Sequence, residues 1–102
     1  DMIISSGYII AGPEVEAALM AHPSVSECAV VGIPDEERGS LVKAFVVLRD
    51  GTEENEAMKQ TLQDFVKKTI APYKYPRSIE FRKSLPKTET GKIQRFRLRE
   101  EG

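Results

Sequence analysis

The segment Pro86-Lys87-Thr88-Glu89-Thr90-Gly91-Lys92-Ile93-Gln94-Arg95 offers chemistry most directly. A lysine follows a glycine, and Lys87 and Arg95 place further cations on either side. Glycine gives the backbone a freedom that other residues lack. The lysine ammonium is a compact cation on a long flexible stem, so Lys92 on a loop can reach a phosphate or a carboxylate. Thr90-Gly91-Lys92 is not the end of a P-loop. That motif needs a glycine where Pro86 stands and Ser or Thr where Ile93 stands. On these residues alone, Lys92 serves either an anion or solvent.

Three further groups invite a site. In Tyr73-Lys74-Tyr75-Pro76-Arg77, with Lys67 and Lys68 upstream, two aromatics stand among cations. Such a ribbon can stack a base and grip phosphates, and it can equally be a surface linker with half-packed tyrosines. In Ser5-Ser6-Gly7-Tyr8 the glycine lets backbone approach a ligand, although an ordinary turn has the same composition. Arg38 lies in an acidic turn, free to hold a phosphate or to pair with Asp35 or a neighbouring glutamate, a contact worth little if exposed. Cys28 is the only cysteine, which excludes an intrachain disulfide and a cysteine-based zinc site. Its apolar neighbours Ala29, Val30 and Val31 make it a buried structural thiol. The single histidine, His22, precedes Pro23 and reads as the end of a helix. No metal site is expected.

These groups need elements to hold them. Met2 to Ile4 and Tyr8 to Ile10 are short apolar runs on either side of a turn, which suits a hairpin. Gly12-Pro13-Glu14-Val15-Glu16 opens a helix, with proline and acids in its first turn, and His22-Pro23 closes it. Val25 to Ile33 and Leu41 to Leu48 are β-branched runs expected to pair antiparallel across the charged turn at 34–39. Glu53 to Thr69 is an amphipathic helix carrying Met58, Leu62, Phe65 and Val66 on one face. Two prolines and the residues before them make 71–77 extended rather than helical. Ser78 to Phe81 is a third short strand, Leu85 to Gly91 a loop, and Ile93 to Glu100 a basic helix. The expected fold is α+β: a small mixed or antiparallel sheet of about three strands covered by helices, with an N-terminal hairpin.

The 102 residues suit one small domain, and 40% hydrophobic content supports a modest core. The net charge of −1 conceals an asymmetry. Between Lys67 and Arg99 eleven basic residues face only Glu80 and Glu89, a local charge of +9. A basic face of this kind meets a polyanion: nucleic acid, an anionic membrane surface or a phosphorylated cofactor. No secretory signal is visible, and no apolar run is long enough to span a bilayer. The expected compartment is therefore reducing and cytoplasmic. Asp1-Met2-Ile3-Ile4 starts inside what reads as a strand, as a piece of a longer polypeptide would.

Taken together and in order, several segments resemble the C-terminal domain of adenylate-forming acyl-CoA synthetases. They are Asp1-Met2-Ile3-Ile4-Ser5-Ser6-Gly7-Tyr8, Gly12-Pro13-Glu14-Val15-Glu16, Val31-Gly32-Ile33-Pro34-Asp35, Arg38-Gly39, Ala71 to Arg77 and Leu85 to Lys92. The resemblance covers essentially the whole chain. Its wording is most similar to medium-chain and aryl (benzoate or 2-aminobenzoate) CoA ligases, as in Ile10-Ala11-Gly12-Pro13-Glu14-Val15-Glu16. It implies that residues 1–102 form one mobile lid lacking the large N-terminal domain, its partner. It further implies two steps: a carboxylic acid and ATP give an acyl-adenylate and pyrophosphate, then the lid swings and CoA displaces AMP.

By the same resemblance Lys92 is the adenylation lysine, and Ser6, Gly7 and Tyr8 line the tunnel for the pantetheine arm. Arg38, Lys67, Tyr73, Lys74, Tyr75 and Arg77 lie near the nucleotide end of CoA. Mg2+ is expected on the N-terminal domain. Ile9 departs from the arginine that many relatives carry after the Ser-Gly unit and its aromatic. Asp1 matches the second acid of the hinge run, which places most of the hinge before this chain. Two alternatives stand beside this reading: the lid of an enzyme that loads a carrier protein, and a free-standing basic domain that binds nucleic acid.

Overall fold

The computed structural model describes residues 2–101, so the hinge expectation for Asp1 lies outside the described residues. Ser6 and Gly7 take φ of 51° and 82°. Two successive positive values give the tight turn whose twist suits a hairpin, and the second is costless only at glycine. The turn joins β1 (Met2–Ser5) to β2 (Tyr8–Ala11), with Ile4 opposite Ile9 and Ser5 opposite Tyr8. Helix α1 (Gly12–Met20) follows, with proline and Glu14 in its first turn. Beyond its end His22 Nδ1 accepts the Ser24 amide at 3.1 Å, the punctuating role expected of that histidine.

β3 (Val25–Asp35) and β4 (Gly39–Leu48) form the long antiparallel pair. Both outrun the apolar segments that announced them, because the ladder continues through Pro34 opposite Ser40 to Asp35 opposite Gly39. Pro34 is tolerated there because β3 is an edge strand, where a missing N–H breaks no outer ladder. Helix α2 (Glu56–Thr69) starts three residues later than Glu53, since the Asn55 side chain caps it by accepting the Met58 amide at 2.8 Å.

Pro72–Lys74 forms one turn of 3-10 helix, which corrects the expectation of a wholly extended segment. Proline opens the turn, where its missing N–H costs nothing. Tyr75, held extended before Pro76, ends it. β5 (Ser78–Phe81) runs parallel to β4, and α3 (Arg95–Glu101) closes the fold. That helix begins two residues after Ile93 because Ile93 is paired with Lys87 in an antiparallel bridge.

The fold is α+β with a mixed sheet, as expected, but with five strands in one sheet. The hairpin is part of that sheet, in the order β2-β1-β4-β3, joined where Ser5 pairs with Gly39; β5 pairs with β4 further along. Alternation sends Cys28 and Val30 of β3 and Val42, Ala44 and Val46 of β4 into one core with Val15 and Leu19 of α1 and Leu62 and Val66 of α2. Ala29, Val31 and Phe45 face the other way and pack with Leu85 and Leu98 of α3. Helices therefore cover both faces, which explains the nearly continuous apolar reading of β3.

Cys28 is buried, as expected, with its Sγ 3.5 Å from the Glu16 carbonyl oxygen. Burial pushes its pKa up to about 12; the Glu16 charge adds to the rise and Arg95 opposes it. Because the folded pKa exceeds the ordinary 9.0, the thiol favours folding below that pH, and this is lost as pH rises from 9.0 through about 12. Iodoacetamide at pH 9.0 should thus label the urea-unfolded chain and spare the folded one. Equal labelling would place Cys28 at the surface.

Candidate functional site

Lys92 sits exposed just after the loop expected at 85–91, which an antiparallel bridge between Lys87 and Ile93 closes into a hairpin. The Thr88 amide donates to the Lys92 carbonyl oxygen and the Gln94 amide to that of Pro86, both at 2.8 Å. The Gly91 amide donates to the Thr88 carbonyl oxygen at 3.0 Å, and the Lys92 amide to Thr88 Oγ1 at 3.1 Å. Gly91 takes φ of 87° with open space around it, so backbone conformation rather than crowding selects glycine there. Among the described residues no hydrogen bond or ion pair engages the Lys92 ammonium. Its backbone is fixed while its charge is free, and that combination lets a cation meet an anion without first giving up a partner.

The turn and the tyrosine ribbon, far apart in sequence, come together. Tyr8 stacks on Tyr73 with ring centroids 4.5 Å apart. Arg38 Nε donates to Ser5 Oγ at 3.1 Å, and the Ser6 amide donates to the Arg38 carbonyl oxygen at 2.8 Å. The guanidinium therefore holds the base of the hairpin rather than an acid; Asp35 accepts only the Arg38 backbone amide. Lys74 Nζ lies 2.7 Å from Glu14, whose hydrogen bond holds the lysine pKa above its ordinary value. Tyr75 carries Lys67 4.3 Å and Arg77 4.7 Å from its ring centroid, and Arg77 Nη1 donates to its hydroxyl at 2.7 Å. Tyr8 and Tyr73 remain exposed at 52% and 41%, enough to offer an aromatic surface to a ligand.

The two groups lie on opposite sides of the sheet. Tyr75 packs against the core under α1 and α2, whereas Ile93, next to Lys92, packs against the core under α3. The basic segment is also less available than its sequence suggests. Lys67, Lys74, Arg82, Lys83, Lys87 and Arg95 pair with Asp64, Glu14, Glu101, Glu54, Glu27 and Glu16. Folding spends much of the expected basic face on internal pairing.

A family model described as the AMP-binding enzyme C-terminal domain matches residues 14–92. The chain belongs to that family. The match takes in Glu14, Arg38, the ribbon and Lys92, and so reaches both sides of the sheet. A Bacillus subtilis (strain 168) protein named as an uncharacterized acyl-CoA ligase, YtcI, is 58% identical over 99 residues, covering 97% of this chain and 19% of its own length. A Brucella canis acyl-CoA synthetase superposes with a TM-score of 0.97 at 50% identity, over 99% of this chain and 19% of that one. The anthranilate CoA ligase AuaEII, solved with anthranoyl-AMP, gives 0.89 at 46% identity, over 99% and 20%. This AMP-binding C-terminal domain thus spans about a fifth of the length of the relatives it matches. Among its described residues no helix is long and apolar enough to cross a membrane, and no group of three or more His, Cys, Asp or Glu could hold a metal ion.

Sequence reasoning did not find what anchors either candidate segment. Glu14 holds the ribbon through Lys74, and Glu16 holds the lysine hairpin through Arg95. The only signal was Gly12-Pro13-Glu14-Val15-Glu16, which read as helix-start chemistry. Two acids, two positions apart on one helix, serve structural partners.

Proposed function

We propose that residues 1–102 form the mobile lid of an ATP-dependent acyl- or aryl-CoA ligase and serve its two half-reactions with opposite faces. In the first, a carboxylate oxygen of the acid attacks the α-phosphorus of ATP and pyrophosphate departs with the bonding pair. Lys92 supports the negative charge that grows on the reacting phosphate and carboxylate. A positioned cation acts most strongly on charge that appears only in the transition state. In the second, the CoA thiol attacks the acyl carbon and AMP leaves. Ser6, Gly7 and Tyr8 line the path of the pantetheine arm, while Arg38, Lys67, Tyr73, Tyr75 and Arg77 receive the nucleotide end of CoA. The residues fit that moiety: the exposed Tyr73 ring suits an adenine, and Lys67 and Arg77 beside Tyr75 suit its phosphates. Lys74 acts through its pairing with Glu14, which fixes the ribbon.

The observation that carries this reading is the free Lys92 charge on one side of the sheet with the stacked turn and ribbon on the other. Mg2+ and the acid pocket belong to the N-terminal domain that is the lid's partner. Within the same proposal the acid is a medium-chain or an aryl carboxylate, the likeness to the anthranilate CoA ligase supporting the aryl one. The compartment is cytoplasmic. Extensive pairing of the basic segment weighs against nucleic acid, and the ring surface beside cations favours CoA over a carrier protein.

The test is acid-dependent pyrophosphate release. The full-length protein should release pyrophosphate with an acid from a panel of aryl and medium-chain carboxylates, then form thioester only when CoA is added. The 102 residues alone should release none. Turnover by the isolated chain, or thioester formation on a carrier protein without CoA, would contradict the proposal.

A further inference from the structure

The hairpin that presents Lys92 has little of its own in the core. Residues 87–92 are exposed; only its stems pack inward, through buried Leu85 on one side and half-buried Ile93 on the other. Its position therefore depends on what grips the two stems. Lys87 pairs with Glu27 on β3, a single contact between two partly exposed side chains. Arg95 makes the stronger grip, with Nε 2.7 Å from Glu16 Oε2 and Nη2 2.6 Å from Glu16 Oε1. This fork fixes orientation as well as distance, which a lysine cannot do. Glu16 is itself immobilised, because its Oε2 also accepts the Val30 amide at 2.8 Å.

That third bond explains how the grip crosses the sheet. Val30 lies on the edge strand β3, where an outward N–H has no neighbouring strand to receive it. Glu16 reaches over from α1 on one face to satisfy the amide, and Arg95 reaches it from the α3 side. α3 has other anchors of its own, the buried Leu98 and the Arg82–Glu101 pair. What the Glu16–Arg95 fork adds is a fixed origin for the hairpin three residues before it.

We infer that Glu16 and Arg95 are positioning residues for Lys92: the fork on the edge of β3 sets where the Lys92 ammonium meets the reacting groups. This rests on the adenylation role proposed for Lys92. The fork should matter for adenylation and not for the thioester step, which uses the other face. A misplacement of about 1 Å can cost roughly a hundredfold in rate, so loss of the fork should lower adenylation kcat by about tenfold or more.

In the full-length protein, Glu16→Gln, Arg95→Lys and Lys92→Ala would be compared in both half-reactions, the second started from supplied acyl-adenylate. Arg95→Lys keeps the charge and the helix, and covers the case in which Glu16→Gln fails to fold. The expected result is a lowered adenylation kcat with KM for ATP little changed, and thioester formation at the unsubstituted level. Parallel loss of both half-reactions, tracking a fall in melting temperature, would make the fork merely structural and overturn the inference. Normal adenylation in Glu16→Gln and Arg95→Lys beside a crippled Lys92→Ala would overturn the inference while leaving the Lys92 role intact. Normal adenylation in Lys92→Ala would overturn that role, and this inference with it.

Discussion

Lys92→Ala in the full-length protein is expected to lower the adenylation rate by roughly a hundred- to a thousandfold, the cost of removing one preorganised donor from a developing charge. The size follows from how the lysine is held. A cation bound to a carboxylate would have to break that contact before serving substrate, whereas the Lys92 ammonium has no such partner among the described residues. A cation on a flexible loop would lose entropy on engaging; here the 88–92 turn is already closed by backbone hydrogen bonds. The substitution removes charge without removing buried contacts, since Lys92 is exposed. The unfolding midpoint should therefore stay close to that of the parent. Lys92→Arg tests the same idea: it keeps the charge but spreads it over a planar fork, and it should recover only part of the rate.

Phe45→Ala carries the largest expected cost in stability, about 3–5 kcal/mol. Phe45 is fully buried in the core beneath α3, with Ala29, Val31, Leu85 and Leu98. Its ring also lies 4.8 Å from Lys43 Nζ and 5.6 Å from the Arg82 guanidinium carbon, contacts that an alanine cannot make. Against a typical total of about 5–15 kcal/mol, that loss puts the fold at risk. Urea unfolding should show a sharply lower midpoint, and Phe45→Leu, which keeps much of the volume, a far smaller drop. Equal midpoints for the alanine variant and the parent would mean that this face is not a packed core.

The sequence made the strand pair legible because β3 is buried on both faces and so reads as a continuous apolar run. α2 was legible because its apolar residues repeat at helical spacing; its start was misplaced because the Asn55 cap, not the acidic run before it, decides where the turns begin. Local chemistry also announced the Ser6–Gly7 turn. It hid the merging of the hairpin into the main sheet, since Ser5 meets Gly39 through backbone that carries no side-chain signature. Tyr73 was expected to be extended, yet a proline that forbids a helix interior is welcome at the first position of a turn.

The proposed site residues were visible as residue types in motifs, and their anchors were not. Glu16 and Arg95 are 79 positions apart, and Lys74 and Glu14 are 60 apart. No periodicity connects such pairs. Charge counting pointed the other way, because a run of +9 looked like a free basic face until the fold brought acids onto it. Arg38 shows the same limit at short range. Its acidic neighbours suggested an ion pair, whereas the chain turns its guanidinium back to Ser5.

The central claim is that two faces of one small domain serve two half-reactions, and it is tested most directly by crossing two variants with two assays. Adenylation from ATP and acid, and thioester formation from supplied acyl-adenylate and CoA, would each be measured in full-length protein carrying Lys92→Ala or Tyr73→Ala. Lys92→Ala should lose adenylation and keep thioester formation, while Tyr73→Ala should keep adenylation and lose thioester formation. If both variants depress both half-reactions to the same degree, the division of labour between the two faces is wrong.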